Sequence, residues 1–242
     1  MAIIPVRVDS QRLPGKALLA ESGQALFLHT CEQARLAGCF DQILVATDST
    51  EVAECTEQAG FTPVMTSSKP RTGSERCAEA ALHLTAEVIV DIQGDWPEVD
   101  PEDLQALVTA LAGDASDRAC ATLCATLDDP ATIADPNVVK VVRGHNGDAL
   151  YFSRSPIPFI RKSSSHSVLR HVGVYGFTRS TLLTLPSLPS SGLDEVEGLE
   201  QLRFLENGIR IQVLNASGDP WGIECRADYD AFLERRSTIP SE

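Results

Sequence analysis

A cluster of cationic side chains lies close to the amino terminus of the chain. Arg7, Arg12 and Lys16 fall within ten residues, directly after the first apolar run, and Ser10 lies between them. The planar fork of arginine suits phosphate oxygens, and lysine supplies a point charge. A loop at the carboxyl end of a first strand lies where open α/β sheets bind their ligands. The cluster therefore predicts a cradle for a triphosphate; a solvated basic loop is the alternative.

A second candidate site follows the apolar run Glu87–Ile92, which leads into Gln93-Gly94-Asp95. We expect the Asp95 carboxylate at the same edge of the sheet, and Mg²⁺ binds through a few carboxylates together with phosphate oxygens and waters. A plain turn aspartate is the alternative. The side-chain amide of Gln93 could form hydrogen bonds with the edge of a nucleobase, or only with its own backbone. The chain has neither G-x-G-x-x-G nor G-x-x-x-x-G-K-[ST], which excludes a Rossmann dinucleotide site and a Walker-type ATPase.

The composition restricts the class of partner. The 34 acidic residues outnumber the 20 Lys and Arg, giving a net charge of −14. Because nucleic-acid binding needs a basic face, we expect no nucleic-acid partner. An anionic ligand must then meet local cations, and a second group of these is Lys69, Arg71 and Arg76. The seven cysteines, an odd number without a CxxC pair, predict free thiols.

Hydropathy argues for a soluble protein. No stretch approaches the roughly 20 apolar residues that a membrane span needs, and the amino terminus lacks the features of a signal peptide. We therefore expect no membrane insertion and a cytoplasmic location.

The first half of the chain alternates strand-like and helical segments, which indicates parallel strands joined by helical crossovers. The predicted strands are Ala2–Val6, Gln42–Ala46, Phe61–Met65 and Glu87–Ile92. The predicted helices are Ala25–Ala37, Ser49–Ala59, Ser74–Leu84 and Glu102–Leu111. We expect an α/β fold with a doubly wound, mostly parallel or mixed sheet, in a single domain over residues 1–242.

After residue 118 the pattern becomes richer in strands. The predicted strands are Ala119–Thr126, Val138–Val142, Ala149–Ser153, Val168–Phe177 and Ile209–Leu214. Asn146-Gly147 predicts a hairpin between the second and third of them. The predicted helices are Glu195–Glu206 and Ala227–Arg236. This half is expected to add antiparallel strands as a β-rich lid or a dimer-forming insert.

A family resemblance emerges from motifs that follow one another along nearly the whole chain. R-x-x-S-x-R-L-P-G-K after an I-I-P strand resembles the opening of the CMP-Kdo synthetases (3-deoxy-manno-octulosonate cytidylyltransferases), relatives of the CMP-sialate synthetases. The similarity continues through Val45-Ala-Thr-Asp48, Thr72-Gly73-Ser74-Glu75-Arg76, Gln93-Gly94-Asp95, Asn137-Val-Val-Lys140, Ala149-Leu-Tyr-Phe-Ser-Arg154-Ser-Pro-Ile-Pro158, His171-Val-Gly-Val-Tyr175 and Leu199-Glu200-Gln201-Leu202-Arg203.

The resemblance implies a nucleotide-diphospho-sugar transferase-like fold, a homodimer, and magnesium-dependent transfer of CMP from CTP to a sugar acid, with release of pyrophosphate. The implied catalytic residues are Arg7, Arg12, Lys16 and Asp95, with Asp95 and Glu224 as metal ligands. The implied nucleotide-binding residues are Arg7, Ser10, Arg12, Lys16, Thr72, Ser74, Arg76 and Gln93, with Arg76 the leading one in its motif. The implied sugar-acid-binding residues are Arg154, His171, Tyr175, Glu200 and Gln201.

Each acceptor-side assignment has a structural alternative. Tyr175 could pack inward, and His171 could be a structural histidine. Glu200 and Arg203 could form a solvated ion pair on one helix. Asp228 is expected to start a helix.

The sequence also departs from the family pattern. Trp96 stands where a short acidic or polar residue is expected, and Glu224 replaces the second metal aspartate. Further departures are Val6, Val8, Gln11, Arg226 and Ala227. These changes motivate the hypothesis of an altered acceptor. The alternatives are another nucleotide or a sialate-like acceptor on the same fold, and a catalytically silent nucleotide-binding paralog.

Overall fold

The computed structural model describes residues 1–10, 12–112, 119–162, 167–190 and 192–237. Within these ranges the strands are β1 (Ala2–Val6), β2 (Ile43–Thr47), β3 (Thr62–Met65), β4 (Val88–Ile92), β5 (Cys120–Leu127), β6 (Lys140–Arg143), β7 (Ala149–Ser153), β8 (Val168–Thr178) and β9 (Ile211–Asn215). The α-helices are α1 (Leu26–Ala37), α2 (Thr50–Gln58), α3 (Gly73–Ala80), α4 (Pro101–Leu111), α5 (Pro130–Ala134), α6 (Arg179–Thr184), α7 (Gly192–Glu197), α8 (Glu200–Glu206) and α9 (Arg226–Ser237).

The described strands form one mixed sheet in the order β3-β2-β1-β4-β8-β5-β9, with β6 and β7 attached as a hairpin beside β8. Strands β3, β2, β1 and β4 run parallel, β8 runs antiparallel to both β4 and β5, and β9 is parallel to β5. This confirms the predicted α/β class. The parallel half places the carboxyl ends of β1 and β4 side by side, which is where the two predicted chemical loops begin.

Both faces of the sheet are covered. Successive residues of a strand point to opposite faces, so Ile4 of β1 packs with α1 and α4 in one hydrophobic cluster, while its neighbour Ile3 packs with α3 and α8 in the other. All of β1 is buried. Two-sided burial explains why this strand reads as a continuous apolar run rather than an alternating one.

The element predictions were confirmed at most positions, with one clear error. The expected helix Glu195–Glu206 is two helices, because Gly198 adopts a left-handed backbone (φ 62°) between α7 and α8. The short helices α5 and α6 were not predicted. The β6–β7 hairpin was correct, with Gly147 at φ 82° in its turn. Gln11 lies outside the described residues.

Two composition-based expectations can be compared with the structure. All seven cysteines are free thiols, as predicted. Among the described helices, none has the length and apolar character to cross a membrane.

Candidate active site

A cavity of about 410 Å³ opens at the carboxyl ends of β1 and β4. Its wall contains eight of the residues that were predicted from the sequence, namely Arg7, Ser10, Arg12, Lys16, Thr72, Gln93, Asp95 and Glu224. We call it the cation-lined cavity. The β1 loop contributes Arg7, Ser10, Arg12 and Lys16 together with the carboxylate of Asp9, and Arg71, Asp95 and Glu224 line the cavity from other segments. This is the composition that a triphosphate with a divalent cation requires.

Lys16 lies at the centre of the charges in this cavity. Its ammonium donates to Asp95 Oδ2 at 2.6 Å and to the carbonyl of Ile223 at 2.6 Å, and Glu224 Oε2 lies 3.9 Å away. The side chain is largely buried, so these contacts hold it in one place. Lys16 therefore connects the β1 loop, the end of β4 and the segment before α9 in a single electrostatic unit.

The two arginines of the β1 loop are held differently. Arg7 donates to the carbonyls of Pro70 and Thr72, which fixes it against the loop before α3. Burial, and then the neighbouring charge of Arg76, lower the pKa of Arg7. Arg12 is 57% exposed and pairs with Glu224 at 2.9 Å. Arg12 is thus the exposed cation of the two, available to an incoming anion.

Asp95 and Glu224 form a donor set that suits a hard cation. Both carboxylates lie within 4.0 Å of the Lys16 ammonium. Burial, and then the negative charge of Asp95, raise the pKa of Glu224 although Lys16 and Arg12 act in the opposite direction. A further cation between the two carboxylates would therefore be stabilised. The described residues contain no group of three or more His, Cys, Asp or Glu that could form a metal site by themselves. Two carboxylates alone suit Mg²⁺, which takes its other ligands from phosphate and water.

Asp228 acts as the sequence predicted. Its carboxylate accepts from the backbone amides of Glu224 and Cys225 just before α9. This cap fixes the backbone that carries Glu224.

Gln93 is held in a narrow space at the floor of the cavity. Its amide donates from Nε2 to Asp91 Oδ1 at 2.6 Å. A Cβ placed on Gly73 would lie 2.3 Å from Gln93 Oε1 and 2.5 Å from Nε2. Only glycine leaves room for the amide here. Thr72 caps α3 by accepting from the Glu75 amide, which sets the position of Gly73.

Two predicted nucleotide-binding residues lie behind the cavity wall rather than in it. Arg76 is 1% exposed and contacts Thr66, Ser67 and Asp48. Ser74 bonds to buried carboxylates beneath the cavity floor. Arg76 braces the loop after β3, because its position on α3 faces the sheet, and it does not line the cavity. Its contact with the nucleotide stays a prediction.

A second cavity, of about 390 Å³, lies on the other side of Gln93, Asp95 and Glu224, which line both. We call it the acceptor cavity. Four of the five predicted sugar-acid residues lie in its wall, namely His171, Tyr175, Glu200 and Gln201. The two cavities thus meet at the predicted metal carboxylates.

Arg154 is the fifth, and the structure places it elsewhere. Its guanidinium donates to the carbonyls of Pro136 and Glu197. Arg154 therefore ties β7 to α7 behind the acceptor cavity, and the prediction of direct contact is not supported by its position.

His171 is a neutral, packed histidine. Burial lowers its pKa to about 3, its Nε2 lies 3.0 Å from the Thr122 hydroxyl, and its ring packs between Phe152 and Tyr175. A group with this pKa does not exchange protons near neutral pH. His171 can shape the cavity or form a hydrogen bond, but it is not an acid–base group.

The remaining alternatives for the acceptor side can be decided from burial. Tyr175 is buried against Phe177, and burial raises the pKa of its phenol. Glu200 and Arg203 are not a solvated pair, because Arg203 is buried and donates to Glu75.

Three residues of the acceptor cavity region were missed from the sequence. Arg170 is buried in the cavity wall, where it donates to Asp219 Oδ1 at 2.6 Å and lies 3.9 Å from the centre of the Trp221 ring. Trp221 Nε1 in turn donates to Asp219 Oδ2. No local motif marks these residues; the adjacency of Arg170 to His171 in a predicted strand was the only signal.

Trp96 faces the acceptor cavity, so the two tryptophans of the chain both line it. A Cβ on Gly222 would lie 3.2 Å from the indole, and one on Gly173 would lie 3.4 Å from it. Trp96 is therefore inserted between two glycine backbones, next to the shared carboxylates.

The mixed sheet, with the cation-lined cavity at the carboxyl ends of its parallel strands and a second cavity joined to it, has the fold of solved nucleotidyltransferases. The fold agrees with that of a putative glucose-1-phosphate thymidylyltransferase from Bacillus anthracis (TM-score 0.66, 15% identity, covering 100% of this chain and 96% of that one). Residues 1–211 match the cytidylyltransferase family. The chain belongs to the 3-deoxy-manno-octulosonate cytidylyltransferases, the CMP-Kdo synthetases.

Membership follows from full-length similarity. The chain is 44% identical over 245 residues to the 3-deoxy-manno-octulosonate cytidylyltransferase of Chlorobium luteolum, covering 97% of both proteins. It is 40% identical to that of Solibacter usitatus, covering 99% of this chain and 93% of the relative. A solved structure of CMP:2-keto-3-deoxy-manno-octonic acid synthetase complexed with CTP superposes with a TM-score of 0.92 at 33% identity, covering 98% and 97% of the two chains.

Proposed function

We propose that this enzyme transfers CMP from CTP to 3-deoxy-manno-octulosonate (Kdo) or a Kdo-like 3-deoxy-octulosonate and releases pyrophosphate. The observation that carries the proposal is the meeting of the two cavities at Gln93, Asp95 and Glu224. In a reaction between a nucleotide and a second substrate, the two reacting atoms must lie next to each other. Holding them there accounts for a large part of the rate acceleration.

The cation-lined cavity would hold the triphosphate. Arg7, Ser10, Arg12 and Lys16 present cationic and hydroxyl groups from one loop. Asp95 is the partner of Lys16, and Glu224 is the partner of Arg12. Phosphate oxygens would replace these carboxylates as partners of the two cations, which would stabilise the charge that develops on the leaving pyrophosphate.

The carboxylates released in this exchange would then hold Mg²⁺. The cation would neutralise phosphate charge and lower the barrier for attack at the α-phosphorus. Asp95, at the end of a buried strand, is the more rigid of the two ligands. Glu224 is half exposed and follows a loop, so it is the adjustable one.

The acceptor cavity offers complementary groups for a sugar acid. Gln201 and Glu200 supply hydrogen-bonding groups for hydroxyls, and Tyr175 adds an aromatic wall. Arg170 is the buried cation in that wall, with Asp219 as its partner. Arginine is the residue suited to a carboxylate, so we assign recognition of the acid group to this region.

The two tryptophans favour a modified acceptor as a second candidate. Trp96 and Trp221 add apolar, flat surfaces to a cavity that must read a polyhydroxylated molecule. Indole faces pack on apolar C–H surfaces, and a modification that enlarges such a surface would add contact area. A sugar acid that presents such a patch beside the reacting hydroxyl would fit better than one with polar groups on every side.

We also propose a homodimer in the cytoplasm. Phe159 and Val196 are 86% and 85% exposed, and Leu150 of β7 is exposed as well. The segments that carry them are adjacent, because Ser153 at the end of β7 donates to Glu197 of α7. A second copy would cover these apolar side chains. Sedimentation of the purified chain tests the dimer directly.

Pyrophosphate release tests the enzymatic proposal. The four nucleoside triphosphates are supplied in turn with Kdo, with modified 3-deoxy-octulosonates and with a sialate, each with Mg²⁺ or with EDTA. Release that requires CTP, an octulosonate and Mg²⁺ is the expected result. Best turnover with unmodified Kdo would refute the modified-acceptor candidate. Binding of CTP without turnover for any acceptor would refute the enzymatic proposal itself.

A further inference from the structure

Three side chains form a buried acidic cluster directly beneath the floor of the active site. Ser74 Oγ lies 2.8 Å from Asp91 Oδ2 and 2.9 Å from Glu200 Oε1. Asp91 is fully buried in the middle of the sheet. Its other carboxylate oxygen, Oδ1, accepts from Gln93 Nε2 at 2.6 Å. The carboxyl groups of Asp91 and Glu200 thus share the hydroxyl of Ser74. Asp91 also accepts from the amide of Gln93, which lines both cavities.

The two contacts at Ser74 Oγ need two hydrogens if both are hydrogen bonds, which is one more than the cluster has when both carboxyl groups are ionised. A serine hydroxyl has a single hydrogen to donate. If both carboxylates were ionised, one of the two short contacts to Ser74 would bring together two oxygens with no hydrogen between them. Both contacts are hydrogen bonds only when one carboxyl group is protonated and donates to Ser74 Oγ.

The surroundings decide which carboxyl holds that proton. Burial, and then the charge of Glu200, raise the pKa of Asp91 to about 7. Burial also raises the pKa of Glu200, but the Thr72 and Ser74 hydroxyls and the charge of Arg203 act in the opposite direction. Hydrogen bonds from Ser74, Cys77 and Gln93 also lower the pKa of Asp91, and the charge of Glu75 adds to the rise at Glu200. The difference between the two groups is a cation: Arg203 acts on Glu200 and none among the described residues acts on Asp91, so we place the proton on Asp91.

No cation among the described neighbours of Asp91 compensates its charge directly. On the sheet, Asp91 pairs with Ile3 of β1 and with Tyr175 of β8. The titratable or charged groups that face the cluster from the surrounding elements are Arg7 after β1, Glu75, Arg76 and Cys77 of α3, Glu200 and Arg203 of α8, Tyr175 of β8 and Cys120 of β5. Arg76 is engaged by Thr66 and Asp48, and Arg203 by Glu75.

We propose that Asp91 is a positioning residue that works in its protonated form: neutral Asp91 donates to Ser74, Ser74 donates to Glu200, and Asp91 Oδ1 accepts from Gln93. This chain of bonds holds the amide of Gln93, which lines both cavities, and keeps Glu200 in the wall of the acceptor cavity. Loss of the proton places two negative charges on one hydroxyl, so the cluster must open and Gln93 and Glu200 must move. The functional part of this inference rests on the proposed function.

Asp91→Asn is the informative variant, because a neutral amide reproduces the protonated carboxyl. The introduced side chain can accept from Gln93 with its oxygen and donate to Ser74 with its nitrogen. We measure kcat/KM for pyrophosphate release with CTP and octulosonate for both proteins from pH 6 to pH 8.5. The ratio of the wild-type value to that of Asp91→Asn is expected to fall about tenfold between pH 6 and pH 8, since a group with a pKa of about 7 loses most of its proton over that range. Taking the ratio cancels the titrations that are the same in the two proteins.

Two further measurements keep the proposal open to refutation. Asp103→Asn removes another buried carboxyl group with a raised pKa, far from the cluster, and should leave the activity ratio flat. Infrared spectra of the wild-type protein should show a protonated-carboxyl band that fades near pH 7, persists in Asp103→Asn and is lost in Asp91→Asn. If Asp91→Asn does not fold, a wild-type spectrum without a carboxyl band that titrates near pH 7 still refutes the proposal.

The outcomes separate this inference from the proposed function. The role of Asp91 is overturned if the activity ratio is flat or rises with pH. It is also overturned if the wild-type spectrum has no carboxyl band that titrates near pH 7. Both results leave the enzymatic assignment intact. Absence of turnover with every substrate overturns the proposed function, while the infrared titration still decides whether Asp91 holds a proton.

Discussion

The close approach of Gly73 to Gln93 predicts a variant that loses activity and keeps most of its stability. In Gly73→Ala, the new methyl group would lie 2.3 Å from Gln93 Oε1 and 2.5 Å from Nε2. Ordinary carbon contacts are about 3.5 Å or more, so the amide must move by about 1 Å. The colliding atoms are the end of a flexible side chain, which can shift without disturbing the backbone of α3.

The stability of Gly73→Ala should change little. Moving Gln93 gives up its bond to Asp91, which costs about 1 kcal/mol. Alanine in place of glycine at a compatible backbone position recovers about 0.4–1 kcal/mol. The net free energy of unfolding should therefore stay within about 1 kcal/mol of wild type, which for a domain of this size is a thermal midpoint shift of about 4 °C or less.

Activity should respond far more strongly. A displacement of about 1 Å at a reacting centre can reduce the rate about 10²-fold, equivalent to about 2.7 kcal/mol of transition-state stabilisation. The assay is kcat/KM for pyrophosphate release, together with thermal unfolding of the same preparation.

Gly192→Ala provides the matched control. Gly192 also begins a helix, and a Cβ there would meet no atom within 4 Å. This variant should keep wild-type kcat/KM. Wild-type activity in Gly73→Ala would refute the argument that the position of Gln93 matters, and a large loss of stability would show that the methyl group is not absorbed by the side chain.

Three further predictions concern the junction and the acceptor wall. Asp95→Asn should lower kcat about 10²–10³-fold while the protein stays folded, measured by pyrophosphate release and thermal unfolding; near-normal turnover would contradict the metal role. Trp96→Ala should raise KM for the acceptor and leave KM for CTP unchanged, with a loss of about 1–3 kcal/mol in stability because the indole is only partly buried; the opposite pattern in KM would place Trp96 on the nucleotide side. His171→Gln should remove no titration from the kcat/KM profile above pH 5. Because the pKa of His171 is about 3 in the folded protein and near 6.5 when unfolded, wild-type stability should fall as the pH drops from about 6.5 towards 3. The variant should lose less stability over this range, and equal acid sensitivity in unfolding experiments would count against a buried neutral histidine.

The sequence was sufficient for the parts of the site that depend on local order. Arg7, Ser10, Arg12 and Lys16 follow one strand, and Asp95 ends another, so parallel pairing alone brings them to one edge of the sheet. The same argument could not place Arg76 or Arg154, because which face of an element a long side chain occupies is decided by tertiary packing.

Contacts between distant segments were the least accessible to sequence reasoning. The single helix predicted over Glu195–Glu206 ignored Gly198, which follows α7 with a left-handed backbone (φ 62°). Arg170 and Trp221 come together only through the antiparallel strand β8 and the loop before α9. From the sequence, Asp91 is a single acidic residue in an apolar strand. Only the structure shows that Glu200 lies beside the same hydroxyl, that of Ser74.

A crystal structure of the enzyme with a non-hydrolysable CTP analogue and Mg²⁺ tests the central claim most directly. We expect the triphosphate on Arg12 and Lys16, and the cation bound by Asp95 and Glu224 at the wall shared by the two cavities. A triphosphate bound away from the β1 loop, or a cation that does not contact Asp95, would contradict the account.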